Sequence, residues 1–168
     1  MGSKSNPSEL TIYHLMNIML HANLAVVQHF AHSTPGSAAR DAKKSATGKE
    51  ITAWVQSRHY QIAHWHAEQL ITTVEGAFVS SRNKSEQLSS SRTTSAHAEP
   101  RRLPYEAPHV PYAVYYATLV VWCGSILEQT TKSSSAGGWA SIARGERILS
   151  LHDVHISQLL AHVLNEVK

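Results

Sequence analysis

An uncharged, largely apolar run from Tyr112 to Leu127 constrains the fold of this chain more than any other feature. Proline at position 111 suits the first turn of a helix, where its missing amide hydrogen costs nothing. A strand is the alternative, because β-branched and aromatic residues are abundant here, but the length favours a helix. The run is shorter than the roughly 20 apolar residues of a membrane span. We therefore predict a central buried helix over residues 111–129.

This central helix is apolar nearly all round, which is typical of a helix buried on most sides. One predicted face carries Tyr112, Tyr115, Leu119, Trp122 and Ile126, and its neighbour carries Ala113, Ala117, Val120, Gly124 and Leu127.

The first helix is predicted over residues 7–32, opened by Asn6 as the cap and Pro7 at the first helical position. Two adjacent apolar rows predict a wide buried face: Ile12, Leu15, Met19, Ala22, Val26 and Phe30, beside Tyr13, Met16, Leu20, Leu24 and Val27. The opposite stripe is polar and is expected to face solvent or another chain: His14, Asn17, His21, Gln28 and His32.

A second long helix is predicted over residues 48–75, with Thr47 and Glu50 as a capping box and Gly76 as the stop signal. Its predicted apolar contacts are Ile51, Trp54, Val55, Ile62, Ala63, Trp65, Leu70 and Val74.

Serine dominates residues 79–102, where large apolar side chains are almost absent. Such a segment buries too little surface to offset its ordering entropy, so we predict a flexible loop.

Helices are predicted at 139–149, anchored by Trp139, Ile142, Ile148 and Leu149, and at 153–167. Together these elements predict an all-α, irregular helical bundle in which residues 1–168 form a single domain.

Charge and cysteine content exclude several classes of protein. Charged residues make up 16% of the chain and the formal net charge is +3, which is too mild to indicate a nucleic-acid surface. The one cysteine, Cys123, excludes an intramolecular disulfide framework and a paired-cysteine zinc site. Polar residues such as His14 and Asn17 interrupt any secretory signal, so we expect a soluble intracellular protein with no membrane partner.

Twelve histidines raise the question of a metal site. Within the second helix, His59, His64 and His66 are spaced five and two residues apart, so no pair is one turn apart. His59 and His66 lie two turns apart on one face, and an ion there would need ligands from another helix. We therefore expect no metal site, with His59 and His66 as weak candidates.

Two sequence phrases resemble the fungal-specific transcription factor domain of regulators that carry N-terminal zinc fingers. The string APHVPYAVYYATLVVW, residues 107–122, resembles the closing region of that domain, and IAHWHAEQL, residues 62–70, resembles a phrase found upstream. The residues that carry this resemblance are Trp54, Trp65, His66, Ala67, Pro108, His109, Pro111, Tyr112, Tyr115 and Trp122. They are expected to be structural rather than catalytic.

The resemblance implies a nuclear, non-enzymatic regulatory module that works through a protein partner or through self-association. It also implies one of two situations: the chain is a fragment or truncated product of a larger regulatory domain, or it acts through a partner that supplies DNA binding. The family's DNA-binding fingers need several cysteines, and a chain with one cysteine cannot build them. We therefore expect no sequence-specific DNA binding by this chain and no zinc or other cofactor in it.

Two other classes of function are weighed against this interpretation. A helical small-molecule sensor would hold an effector against aromatic walls formed by Tyr112, Tyr115, Tyr116 and Trp122. A hydrolase-like enzyme would use acid–base groups such as His109 near Glu106, or His152 and His155 near Asp153. No nucleophile elbow, phosphate loop or metal triad accompanies these histidines, so we expect no enzyme.

Overall fold

The computed structural model describes residues 6–33, 45–89, 107–128, 136–152 and 160–161. These residues contain six helices and no strand, which confirms the predicted all-α class. The helices are α1 Pro7–His21, α2 Leu24–Ser33, α3 Ala46–Val55, α4 Arg58–Ser89, α5 Val110–Glu128 and α6 Ala136–His152.

The predicted central buried helix is α5, which packs against α1, α2, α3, α4 and α6. It begins one residue earlier than predicted, because the Val110 amide already donates to the Ala107 carbonyl at 3.0 Å. Two glycines permit close contacts of α5 with its neighbours. Gly124 leaves room for the Tyr60 ring of α4, and Gly145 of α6 leaves room for the Thr118 side chain. Burial is nearly complete along α5, as its apolar composition predicts.

A window of α5 is long and apolar enough to cross a membrane, with a mean hydropathy of 1.5 over residues 110–127. Within the fold 83% of that window is buried, as in the core helix of a soluble protein. The bent pair formed by α1 and α2 also passes this test of length and composition. Such matches are weak evidence for a span.

The predicted first helix, 7–32, is wrong in its continuity, because it consists of two helices bent by 80°. Ala22 adopts an extended conformation after α1. The Asn23 side chain then accepts a hydrogen bond from the Val26 amide at 3.4 Å, and its carbonyl accepts from Val27 at 3.0 Å. Asparagine is a favoured cap, so it opens a new helix where the apolar periodicity alone predicts a continuous one.

The predicted buried face of α1 is also wrong. The side of α1 that meets the rest of the fold carries Thr11, His14 and Ile18. Five residues of the predicted apolar rows are instead between 43% and 74% exposed: Ile12, Tyr13, Met16, Met19 and Leu20. In α2 the predicted apolar rows do face the core, since Val27 and Phe30 are buried.

The second predicted helix, 48–75, is likewise two helices. Ser45 rather than Thr47 caps α3, through a 2.9 Å hydrogen bond from the Gly48 amide. Ser57 accepts a hydrogen bond from the Tyr60 amide at 3.3 Å and so opens α4.

The predicted stop at Gly76 and the start of the serine-rich loop at residue 79 are wrong, because α4 continues to Ser89. Glycine is tolerated inside a helix at a cost of about 1 kcal/mol. The remainder of the predicted loop, 90–102, lies outside the described residues.

Helix α6 extends the predicted helix 139–149 at both ends and buries Ile142, Ile148 and Leu149 as expected. Polar contacts hold it to α4: Arg144 pairs with Glu68 at 3.2 Å and with Glu75 at 3.4 Å. Of the predicted helix 153–167 only residues 160–161 are described, and they are helical.

Candidate functional site

Two pairs of histidines join α1 to α4. Nδ1 of His14 lies 2.9 Å from Nδ1 of His66, and Nδ1 of His21 lies 3.0 Å from Nδ1 of His59. The pairing order shows that the two helices run antiparallel, and the pairs are seven residues apart on each helix. Seven residues are about two turns, or roughly 10.5 Å. We call these four residues the histidine ladder.

The inner pair of the ladder is buried. His14 and His66 are 7% and 6% exposed. Burial lowers the pKa of both rings, and repulsion from His66 lowers the pKa of His14 further. His21 acts on the pKa of His66 in the same direction. Both rings are therefore neutral at pH 7, and at 2.9 Å one Nδ1–H donates to the other ring's unprotonated Nδ1.

Aromatic side chains surround the ladder. The Tyr13 ring lies edge-on to His14 and His66, with centroids 5.2 and 5.7 Å away. Trp65 contacts the same two rings at 6.0 and 4.7 Å. At the other end, Trp54 Nε1 donates to the His21 carbonyl at 2.8 Å, which satisfies a carbonyl in the last turn of α1.

An exposed apolar surface lies beside the ladder. We call it the α1 face, and it consists of Ile12, Tyr13, Met16, Met19, Leu20 and, from α4, Trp65. Tyr13 and Trp65 both contact His14 and His66, so the contribution of α4 lies close to that of α1.

The size of the α1 face distinguishes it from scattered surface residues. Leu20 is 74% exposed and Trp65 is 55% exposed. An aromatic side chain carries about 150–250 Å², so Tyr13 and Trp65, each 55% exposed, together offer roughly 160–280 Å². The four aliphatic side chains bring the exposed surface to on the order of several hundred Å². Single exposed apolar residues need no explanation, but a contiguous patch of this size is typical of an interaction site.

The two weak metal candidates, His59 and His66, do not converge on each other. Each instead meets a histidine of α1. Among the described residues, no three side chains of the types that bind metals come together.

The residues that carry the family resemblance are divided between the core and the surface. Ala67, Tyr115 and Trp122 are buried, with Trp122 6.0 Å from Phe30 by ring centroids and the Tyr115 hydroxyl 3.3 Å from Nε2 of His32. The expectation that Trp65 and Tyr112 contribute to the buried interior is wrong, since both are more than half exposed.

The helix entry before α5 contains the remaining residues of the resemblance. Pro108 is exposed in the turn, and Pro111 and His109 are half-buried. The His109 carbonyl accepts from the Ala113 amide at 3.0 Å. The Nε2 atom of the His109 ring is buried without a hydrogen-bond partner in the described part of the chain.

The residues predicted for a small-molecule sensor are divided between the surface and the core. Tyr112 points to solvent, whereas Tyr115 and Trp122 fill the core, so the four aromatic residues do not form one wall. Burial raises the pKa of the Cys123 thiol, so this residue is not a thiolate nucleophile at neutral pH. Asp153, His155, Glu106 and the side chain of His152 lie outside the description.

Sequence reasoning missed the pairing of His14 and His21 with α4. A signal is present: Thr11, His14, Ile18 and His21 follow the alternating three- and four-residue spacing of a helix–helix seam. Comparison of the chain with protein-family models, with curated proteins and with solved structures gives no match.

Proposed function

We propose that this chain is a non-enzymatic protein-interaction module of a fungal transcription regulator, with DNA binding supplied by another segment or subunit. The observation that carries the proposal is the exposed α1 face. Its apolar side chains remain in water while the histidine side of the same helix is packed against α4. Covering this surface with a protein partner removes apolar area from water, which is favourable by roughly 25 cal/mol per Å².

The assignment to a transcription regulator rests on the sequence resemblance. Its phrases fall on α4 and α5, the two helices that build most of the core. The resemblance therefore concerns the framework, and the α1 face supplies the surface through which such a module would act. A nuclear location belongs to the same proposal.

A reporter assay tests the proposal. The full chain is fused to an unrelated DNA-binding domain in yeast, and we expect reporter output to differ several-fold from that of the DNA-binding domain alone. The double substitution Met16→Gln and Leu20→Gln should abolish the difference. Val79→Gln is the matched control, because Val79 is 52% exposed outside the α1 face.

Three results would contradict the proposal. The first is a wild-type fusion whose output equals that of the bare DNA-binding domain, and the second is a double variant that keeps full output at equal protein level. The third is sequence-selective DNA binding by the isolated chain in a gel-shift assay.

A further inference from the structure

The outer pair of the histidine ladder brings two imidazole nitrogens close enough together to share one metal ion. His21 and His59 come from different helices, and their Nδ1 atoms are 3.0 Å apart. Metal–imidazole bonds are about 2.0–2.1 Å long, so one ion bound to both nitrogens would subtend an N–metal–N angle of roughly 90–100°. That angle fits two neighbouring positions of a tetragonal or octahedral ion.

Solvent access separates the outer pair from the inner pair. His59 is exposed and His21 is half-buried, so water can occupy the remaining positions around an ion. His14 and His66 are buried between Tyr13 and Trp65, where an ion would lose its water without gaining a third protein ligand. The inner pair is therefore a hydrogen bond between neutral rings.

The backbone positions of His21 and His59 are fixed before any ion binds. Both histidines lie on helices, and Trp54 holds the backbone of His21 through its 2.8 Å hydrogen bond to the carbonyl. The inner pair fixes the register of α1 against α4 two turns away. Binding requires the Nδ1 proton of this hydrogen bond between His21 and His59 to move to Nε2 of its own ring, so that both neutral rings offer an unprotonated Nδ1. The two rings, which are nearly head-on with centroids 5.2 Å apart, must also tilt so that both nitrogens point at the ion.

We propose that His21 and His59 bind a divalent transition-metal ion of the class that imidazole favours, such as Cu²⁺, Ni²⁺ or Zn²⁺, with water completing its coordination. The ion would clasp the C-terminal end of α1 to the start of α4. The spacing of the histidines within α4 does not reveal this site, because one of its two ligands, His21, comes from α1.

The test uses the full chain without an affinity tag and titrates it with NiCl₂ or ZnCl₂ at pH 7.5. We expect one ion per chain by calorimetry, together with a rise in melting temperature of several degrees, because a ligand of the folded state stabilises it. His59→Ala and His21→Ala should each weaken binding by more than the ~10-fold that loss of an outer-shell partner costs.

His29→Ala is the matched control, since His29 is an exposed histidine on α2 outside the ladder. It should bind the ion as the wild type does. Imidazole nitrogen NMR should show Nδ1 of His21 and His59 shifting on addition of Zn²⁺, with no change at His14 and His66. Absence of binding at millimolar metal, or equal affinity in His59→Ala and wild type, would overturn the proposal.

Discussion

Helices α5 and α1 are both rich in apolar residues, yet the fold treats them in opposite ways. Almost every side chain of α5 from Ala113 to Leu127 is buried. In α1, the buried positions include Thr11 and His14, while Met16 and Leu20 face solvent. A helix with no polar side can only be buried, whereas a helix with two distinct sides can present either one to the core. Apolar content therefore determines the position of α5 but not the rotation of α1.

The largest expected effect contrasts a tryptophan from each region. Trp122 of α5 is fully buried against Phe30, so Trp122→Ala should lower the free energy of unfolding by about 3–5 kcal/mol. Trp65 is 55% exposed beside α1, so Trp65→Ala should cost about 1 kcal/mol or less, through its lost ring contacts. Urea unfolding of both variants measures the difference. Equal losses of unfolding free energy in the two variants would contradict the difference in burial between α5 and the α1 face.

A pair of glycines, Gly124 in the core and Gly76 on the surface, sharpens the comparison. A Cβ at position 124 would overlap the Tyr60 hydroxyl and lie 2.6 Å from its Cζ, whereas a Cβ at position 76 meets nothing within 4 Å. We expect Gly124→Ala to destabilise by about 1–3 kcal/mol or more, as over-packing does. Gly76→Ala should stabilise by about 0.5–1 kcal/mol through helix propensity. If the melting temperatures of both variants shifted in the same direction, the close contact between Gly124 and Tyr60 would be refuted.

The polar side of α1 predicts a loss of stability on acidification. Unfolded histidine titrates near pH 6.5, and the pKa values of His14 and His66 are lower in the fold. Between the two values the unfolded chain binds more protons, so stability is complete above about pH 7 and falls as the pH drops through 6.5. The free energy of unfolding changes by at most about 1.4 kcal/mol per pH unit for each of the two histidines.

The groups that face this inner pair are Tyr13, Trp65 and His21. Urea midpoints measured from pH 8 to pH 5 should fall in the wild type. The substitution His66→Gln should flatten this pH dependence, whereas His29→Gln, at an exposed position of α2, should leave it unchanged. A wild-type midpoint that rises on acidification would contradict the burial of neutral rings at the α1–α4 contact.

Local sequence rules predicted what depends on local residues. The cap at Asn6, the proline opening of α5 and the anchors of α6 all follow from neighbouring residues, and the all-α class follows from apolar periodicity. The breaks at Asn23 and Ser57 were missed because a capping residue inside a periodic run has no effect until tertiary contacts favour the bend. Gly76 was misjudged for a similar reason, since packing of α4 outweighs its modest cost.

The candidate site was harder to predict than the fold. His59 and His66 were singled out, but their partners His14 and His21 are distant in sequence and meet them only after α1 and α4 pack together. The α1 face was assigned to the core because a wide apolar stripe ordinarily faces inward. The seam spacing of the histidines was available in the sequence, but the apolar rows beside it gave the stronger signal.

Thiol labelling of α1 tests the central claim most directly, that its histidine side is packed and its apolar face is open. Met16 is 59% exposed and Ile18 is 0% exposed, while the natural Cys123 is buried and adds little background. Met16→Cys should react with a maleimide at nearly the rate of a free thiol. Ile18→Cys should react at least about 100-fold more slowly, because labelling requires local opening. Protection of Met16→Cys together with rapid labelling of Ile18→Cys in the folded protein would contradict the account.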